Sequence, residues 1–423
     1  MSNFLQKIKH MFQDSSLRKQ VLFVLGTLAV FRVLSVIPIP GVDQVALAQF
    51  LDSNQFFGLL NIFSGGGLST LSIVMLGVGP YITASIIMQL FTMMSPKMKS
   101  MYQEEGAIGR KKFSQYSRLL SVPLAFAQAF SFIIILQRQG IVASLDSFAL
   151  LTNVLVIVAG SVFLMWLGEI MTEFGIGNGL SMIIFAGIVA VVPQVASQVF
   201  YAFQIEDLFT YIGLGILALL MVFLVVYITE AERPIPVTYA KQVRGGKTYG
   251  GTSTYLPLRL NQAGVIPIIF ALSLLLLPQM VLNFLTYLQN PTINEISAFV
   301  TALMANQWFY AAAYFVMVFF FTFFYTAVTF DPKAISDNLQ KGGAFIPGVR
   351  PGESTEAYLG KVVTRITLVG ALFLALVAVL PPVLNAITGI SYLTIGGTGL
   401  LIVVSVVLDI VKKVDAQLSM REY

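Results

Sequence analysis

Few residues in this chain are equipped for chemistry. It has no cysteine and a single histidine, His10, in a polar segment near its start. Those two counts exclude thiolate nucleophiles, disulfides and histidine-based metal or acid-base clusters. Within the long apolar runs the few ionisable groups include Arg32, Arg365, Glu169 and Asp409, the last three near run ends. Charges at membrane depth ordinarily mark ion pathways or proton relays, and a coupled pump would need more carriers than these. Arg32 has no obvious carboxylate partner in neighbouring runs, so it reads as a structural residue bonded to backbone carbonyls or reaching toward the interface. No Walker-type glycine loop occurs, so the chain does not hydrolyse nucleotide by itself and any energy must come from a partner. Uncharged polar groups do recur: Thr83, Ser85 and Gln89, then Gln128, then Asn261 and Gln262. Each could bond between helices at about 1 kcal/mol or less, or together they could line a seam that must open. Spacing leaves both readings standing.

The backbone beside Ser85 and Gln89 is itself unusual. Residues 61–91 read NIFSGGGLSTLSIVMLGVGPYITASIIMQLF. A short amphiphilic piece surrounds Gly65, Gly66 and Gly67 and is too short and glycine-rich to span a bilayer. Gly77, Gly79 and Pro80 then sit inside an apolar run, which loosens the outer end of the span that follows, because proline removes a backbone donor and glycine weakens a helix. Irregular backbone at membrane depth is tolerated only where protein or a water-filled cavity covers it. The stretch must therefore face inward.

The elements that position these residues follow from composition. Of 423 residues 57% are hydrophobic and 11% charged, against roughly a quarter charged in soluble domains, so the chain is a polytopic membrane protein. Apolar runs near 20 residues predict ten spans, at about 19–37, 73–94, 115–136, 149–169, 179–200, 208–229, 262–286, 308–330, 362–382 and 390–411. The first run is followed by Pro38, Ile39, Pro40 and Gly41 rather than a small-residue cleavage site, so it is expected to stay as a span. Ten is even, which puts both ends on one side. That side holds Lys7, Lys9, Lys97, Lys99, Arg110, Lys111, Lys112, Arg233, Lys247, Lys333, Lys412 and Lys413 among others, whereas Asp43, Asp52, Asp146, Glu206, Asp207 and Glu295 lie opposite. The bias makes both termini cytoplasmic. The acidic turn at Glu206 and Asp207 divides the spans into two sets of five, and an odd number per set implies inverted halves with the functional site at their seam.

The two longest loops on the basic side read either as docking elements or as solvated basic loops that merely set topology. Residues 230–261 contain Val237, Tyr239, Lys241 and Val243 in alternation before Arg244, Gly245, Gly246 and Lys247, which predicts a hairpin with a glycine turn and a basic tip. In 331–361, Pro347, Gly348, Pro351 and Gly352 bracket and stiffen Arg350. Both are candidate docking surfaces on their charge.

In series, these stretches resemble one family. FRVLSVIPIPGVD (31–43), NIFSGGGLS (61–69), GVGPYITASIIMQL (77–90), EGAIGRKKFSQYSR (105–118), FLMWLGEIMTEFGIGNGLSMIIFAGIV (163–189), LPLRLNQAGVIPIIFA (256–271), FFYTAVTFDPKAISDNLQKGGAFIPGVRPGE (323–353), TRITLVGAL (364–372) and GGTGLLIVVSVVLD (396–409) are similar, in order and over nearly the whole chain, to the SecY family of protein-conducting channels. The resemblance implies an all-α polytopic fold of ten transmembrane helices in two inverted five-helix halves, 1–205 and 206–423, forming a clamshell around a central pore with a lateral gate to lipid. It implies a passive, gated channel for unfolded preproteins and for hydrophobic segments released sideways, not an enzyme, in the bacterial cytoplasmic membrane and with no cofactor. The constriction ring carries over to Val78, Ile82, Leu180, Ile184, Ile269 and Ile402. The plug helix carries over to about 61–72, including Phe63, Ser64, Gly65, Gly66, Gly67 and Leu68, with the glycines permitting its movement. Lateral-gate contacts carry over to Ser85, Gln89, Gln128 and Asn261, and docking surfaces to Arg244, Lys247 and Arg259 in one loop and Arg350 in the other. Implied partners are small subunits resembling SecE and SecG, the SecA ATPase, the ribosome, preprotein and signal-peptide clients, and lipid. The C-terminal tail is shorter than many relatives carry, which puts its part in partner binding in doubt.

The physics of such a ring stands apart from the family. A narrow aliphatic constriction offers nothing to replace an ion's hydration shell and gates by dewetting, yet it parts around a moving polypeptide without trapping any one side chain. A secondary transporter of a small solute would fit the same inverted layout but predicts a compact polar site at mid-membrane. An intramembrane enzyme would need a catalytic dyad or metal site, for which most candidate residues are missing.

Overall fold

The computed structural model describes residues 14–53, 61, 64–103, 105–142, 146–202, 208–240, 242–244, 247–249, 253–285, 291–388 and 393–419. His10, Phe63, Lys241, Gly245, Gly246 and the turn at Glu206 and Asp207 lie outside the described residues. Ten helices coincide with the ten apolar runs: α1 (Ser15–Leu34), α3 (Gly79–Met94), α5 (Gly106–Arg138), α6 (Ser147–Phe174), α7 (Gly179–Ala202), α8 (Leu208–Glu230), α9 (Ile266–Leu285), α11 (Gln307–Thr329), α13 (Glu353–Thr388) and α14 (Leu393–Ser419). Among the described residues four shorter helices lie between them: α2 (Gln44–Ser53), α4 (Pro96–Gln103), α10 (Pro291–Ala305) and α12 (Pro332–Lys341). By length and composition α5, α6, α8, α13 and the helical run 307–341 each suffice to cross a membrane.

Local chemistry sets several boundaries. The side chain of Asp14 accepts from the Ser16 amide to start α1, Asn306 caps α11, and Asp331 caps α12 with Pro332 in its first turn. Each cap satisfies amides that a helix N-terminus leaves without intrahelical partners. Pro80 behaves the same way. Rather than loosening a span that begins near residue 73, it sits in the first turn of α3, where a missing N–H costs nothing. Residues 64–78 ahead of it run in turns.

The helices meet in a pattern that joins the first five spans to the last five along two lines. On one line α9 packs against both α3 and α5; on the other α14 packs against α7. Within the earlier spans α3 lies on α5, α5 on α6, and α6 on α7; within the later spans α11 and α13 form the tightest pair, flanked by α9 and α14. One apolar cluster draws on both sets, including Val24, Leu164, Ile183, Ile268, Tyr314 and Leu374.

Among the described residues, strands occur only in the two long loops. Strand β1 (Glu232–Tyr239) pairs antiparallel with β4 (Ser253–Arg259), and between them β2 (Gln242–Arg244) and β3 (Lys247–Tyr249) form the tip hairpin. From the second loop, β5 (Ala344–Phe345) adds to the other edge of β1. Sequence reading treated these loops as separate; they share one sheet. Its inner face, with Ile235, Val237, Leu258, Ala344 and Ile346, packs on Leu359, Val362, Val363 and Ile366 of α13.

Candidate functional site

The six residues expected to form the ring all belong to, or pack against, one large apolar cluster. Val78, Ile184 and Ile402 are buried in the apolar cluster that spans both sets of helices, and Ile82, Leu180 and Ile269 pack against it half-buried. They come from the α3 entry, α7, α9 and α14, the elements through which the two sets of spans touch. Val78 precedes the first residue of α3, so the irregular stretch 64–78 delivers its last side chain straight into the cluster.

That stretch corrects one expectation. It was read as a plug helix over about 61–72; Asn61 is helical, but residues 64–78 run in turns. The reason is local: Gly65, Gly66 and Gly77 adopt left-handed backbone, at φ 73°, 79° and 57°, which an α-helix cannot accommodate. Asn61 organises the first turn, its carbonyl accepting from the Gly66 amide (2.8 Å) and its side chain from the Ser69 amide (2.8 Å). Two of the glycines are also points of close approach. A Cβ on Gly65 would run into the Phe31 ring, and one on Gly67 would lie 2.8 Å from Ser72 Oγ. Ser64, Gly65, Gly67 and Leu68 are buried, and Leu68, Leu71 and Met75 belong to a second apolar cluster with Ile133 and Ile157.

Neighbouring helices hold the turns by their backbone. The Ile39 amide donates to the Leu71 carbonyl (2.9 Å) and the Ile73 amide to the Ile37 carbonyl (3.0 Å). From α6, Ser161 donates a buried hydrogen bond to the Gly77 carbonyl (2.9 Å), and Gly160 leaves room for the Ile73 carbonyl to approach. Leu71, fully buried, sits at φ 42°, a conformation that costs a non-glycine residue about 1–2 kcal/mol and persists only when its surroundings impose it. Arg32 bonds a backbone carbonyl, as one of its sequence readings held: its Nη1 donates to Gly65 O (3.1 Å).

The expected gate residues belong to the elements that meet along the line of α9 with α3 and α5, Ser85 and Gln89 on α3, Gln128 on α5 and Asn261 just ahead of α9, but they do not bond one another among the described residues. Asn261, buried just ahead of α9, donates Nδ2 to the nearby Gly264 carbonyl (3.2 Å), and its Oδ1 has no partner. The Gln89 Oε1 is likewise buried and unpaired. Ser85 and Gln128 are half-buried. Unpaired buried acceptors carry a desolvation cost of about 1–3 kcal/mol each, so this line is held by apolar packing at the expense of its polar groups. Sequence reading missed the polar contact that does cross between helices nearby, the ion pair of Arg118 on α5 with Glu169 on α6.

In the separate two-stranded tip hairpin, Arg244 and Lys247 stand opposite each other in the β2–β3 register. Arg259 is paired across the sheet with Glu232, Nε to Oε1 at 3.3 Å, so part of its charge is already met. Arg350 is exposed on the turn between β5 and α13, and its carbonyl accepts from Thr355 Oγ1 (2.8 Å). Because β5 pairs with β1, both basic loops are presented by one structural unit. Among the described residues no cluster of histidine, cysteine, aspartate or glutamate is suited to a metal ion.

The SecY family model matches residues 72–411. Over 442 aligned residues the chain is 41% identical to the protein translocase subunit SecY of Streptomyces coelicolor, covering 97% of each. To the subunit of the same name from Pseudomonas aeruginosa it is 41% identical, covering 97% of this chain and 92% of the relative. Among solved structures, "The structure of a protein conducting channel" aligns over 94% of this chain and 92% of that one with a TM-score of 0.63 at 20% identity. "The plug domain of the SecY protein stablizes the closed state of the translocation channel and maintains a membrane seal" aligns over 95% and 93% with a TM-score of 0.64 at 20% identity. The fold is that of these ten-helix clamshell channels.

Proposed function

The chain belongs to the SecY family, and from that membership we infer that it is the channel-forming subunit of a protein translocase, passing unfolded preproteins across a membrane and releasing hydrophobic segments sideways into it. The observation that carries the mechanism is the aliphatic cluster at which the two sets of spans meet. Val78, Ile82, Leu180, Ile184, Ile269 and Ile402 act as the constriction: closed, it excludes water and ions because nothing in it can replace a hydration shell; open, it yields to a polypeptide of any sequence. A transporter of small solutes would need polar groups there, and these six are aliphatic.

The remaining parts follow from their places. Residues 64–72 serve as the plug, with Ser64 to Leu68 at its leading end. The two halves, 1–205 and 206–423, separate along the line of α3, α5 and α9, past Ser85, Gln89, Gln128 and Asn261, when a hydrophobic segment leaves. The unpaired amide oxygens of Gln89 and Asn261 support this, since they gain partners only when the line opens to water or to a peptide backbone. The basic-side bias supports cytoplasmic termini, and the two basic loops on that side receive the driving partner: the ribosome at Arg244, Lys247 and Arg259, and the SecA ATPase at Arg350. The complex is completed by small membrane subunits resembling SecE and SecG. The chain itself performs no catalysis.

Proteoliposomes containing the channel, its small subunits and SecA test this reading. Addition of ATP should carry a preprotein into a protease-protected lumen; protection that is no greater with the channel than without it would refute the reading.

A further inference from the structure

Four hydrogen bonds tie residues 64–73 to the end of α1 and its exit. Three hold the trailing part: Thr70 Oγ1 to the Ser35 carbonyl (2.7 Å), the Ile39 amide to the Leu71 carbonyl and the Ile73 amide to the Ile37 carbonyl. The fourth, Arg32 Nη1 to Gly65 O, holds the leading end. The two ends are therefore fastened differently. Two backbone rungs and a hydroxyl fix the rear, where Leu71 takes the left-handed backbone that turns the chain. The front is hydrogen-bonded to α1 through one side chain.

The surroundings of that side chain match a bond made to be broken. Phe31, the preceding residue, fills the space a side chain at 65 would need, and Arg32 Nη1 lies 3.6 Å from where a Cβ on Gly66 would be. The two residues thus close on consecutive glycines. Arg32 itself is exposed, and among the described residues no carboxylate lies within ion-pair distance of it. A guanidinium held by a neutral carbonyl exchanges that partner for water when the turn departs. An ion pair at membrane depth would strand a charge instead.

We infer that Arg32 is a positioning residue that latches the leading glycine turn of the plug onto α1 in the closed channel, with the Leu71 region as the pivot about which the turn swings. The inference rests on the plug reading given above. When the channel opens, the Arg32–Gly65 bond breaks while the rungs at Leu71 and Ile73 persist.

Ion leak through the complete channel in proteoliposomes, measured in four backgrounds, tests it. Arg32→Gln should raise the leak about tenfold, one charge-assisted hydrogen bond read as a shift between closed and open populations. Arg32→Lys keeps the charge and one donor and should fall between. Deleting residues 64–70 should leak strongly, and Arg32→Gln placed in that deletion should add nothing, since the latch has lost its partner. If the deletion leaks but Arg32→Gln does not, or if Arg32→Gln adds an equal increment with and without the deletion, the latch is overturned and the plug stands. If the deletion itself does not leak, the plug reading fails and the latch with it.

Discussion

At Gly65 two constraints coincide: left-handed backbone and the Phe31 ring packed where a Cβ would go. Alanine there should cost about 1–2 kcal/mol in backbone strain and displace Phe31 as well. Gly65→Ala is thus expected to lower the thermal midpoint of the purified channel and to increase leak; a midpoint and leak equal to wild type would show that the turn is not closely packed in the closed state. Ser161 makes a second check. Its replacement by alanine leaves the buried Gly77 carbonyl without its donor, a loss of about 1–3 kcal/mol that a melting curve would register. The glycines were legible in the sequence as a break in the membrane run, but their reason was not. Composition could not distinguish slack from close approach, because close approach depends on Phe31, far off along the chain. For Arg32 the chain itself named no partner, since a backbone carbonyl leaves no mark in side-chain chemistry.

Among the elements, the sheet unites what serve as two docking surfaces. Lys247→Glu should weaken ribosome binding, most at low salt where phosphate neutralisation counts for most, and leave SecA-driven translocation unchanged. Val237→Lys, by contrast, puts a charge into the buried face shared by β1, β4, β5 and α13 and should impair both activities together in ribosome-binding and translocation assays. Equal effects from the two substitutions would mean that the loops do not act through a common sheet. The tip hairpin was readable beforehand because its strands and glycine turn are adjacent in sequence. Strand β5 was not: two residues pairing with Thr238 and Tyr239 across more than a hundred positions carry no periodicity of their own. On the seam, Asn261→Leu removes a buried unpaired acceptor and should shift how hydrophobic a segment must be before it partitions into lipid, measured with a graded series of test segments.

For the whole molecule, the ten membrane helices were legible because bilayer thickness dictates run length, and their pairing into a clamshell was legible only through the resemblance, since no single run names its neighbour. The α9 contacts with α3 and α5 and the α14 contact with α7 bring the spans together around aliphatic side chains from both sets. Everything proposed for transport depends on those side chains excluding ions at rest while yielding to a chain in transit. Ion conductance of proteoliposomes carrying Ile82→Asn and Ile402→Asn together tests that dependence most directly. A resting leak well above wild type is expected, because two amides placed in the apolar cluster would wet the constriction; a leak indistinguishable from wild type would contradict the assignment of this cluster as the seal.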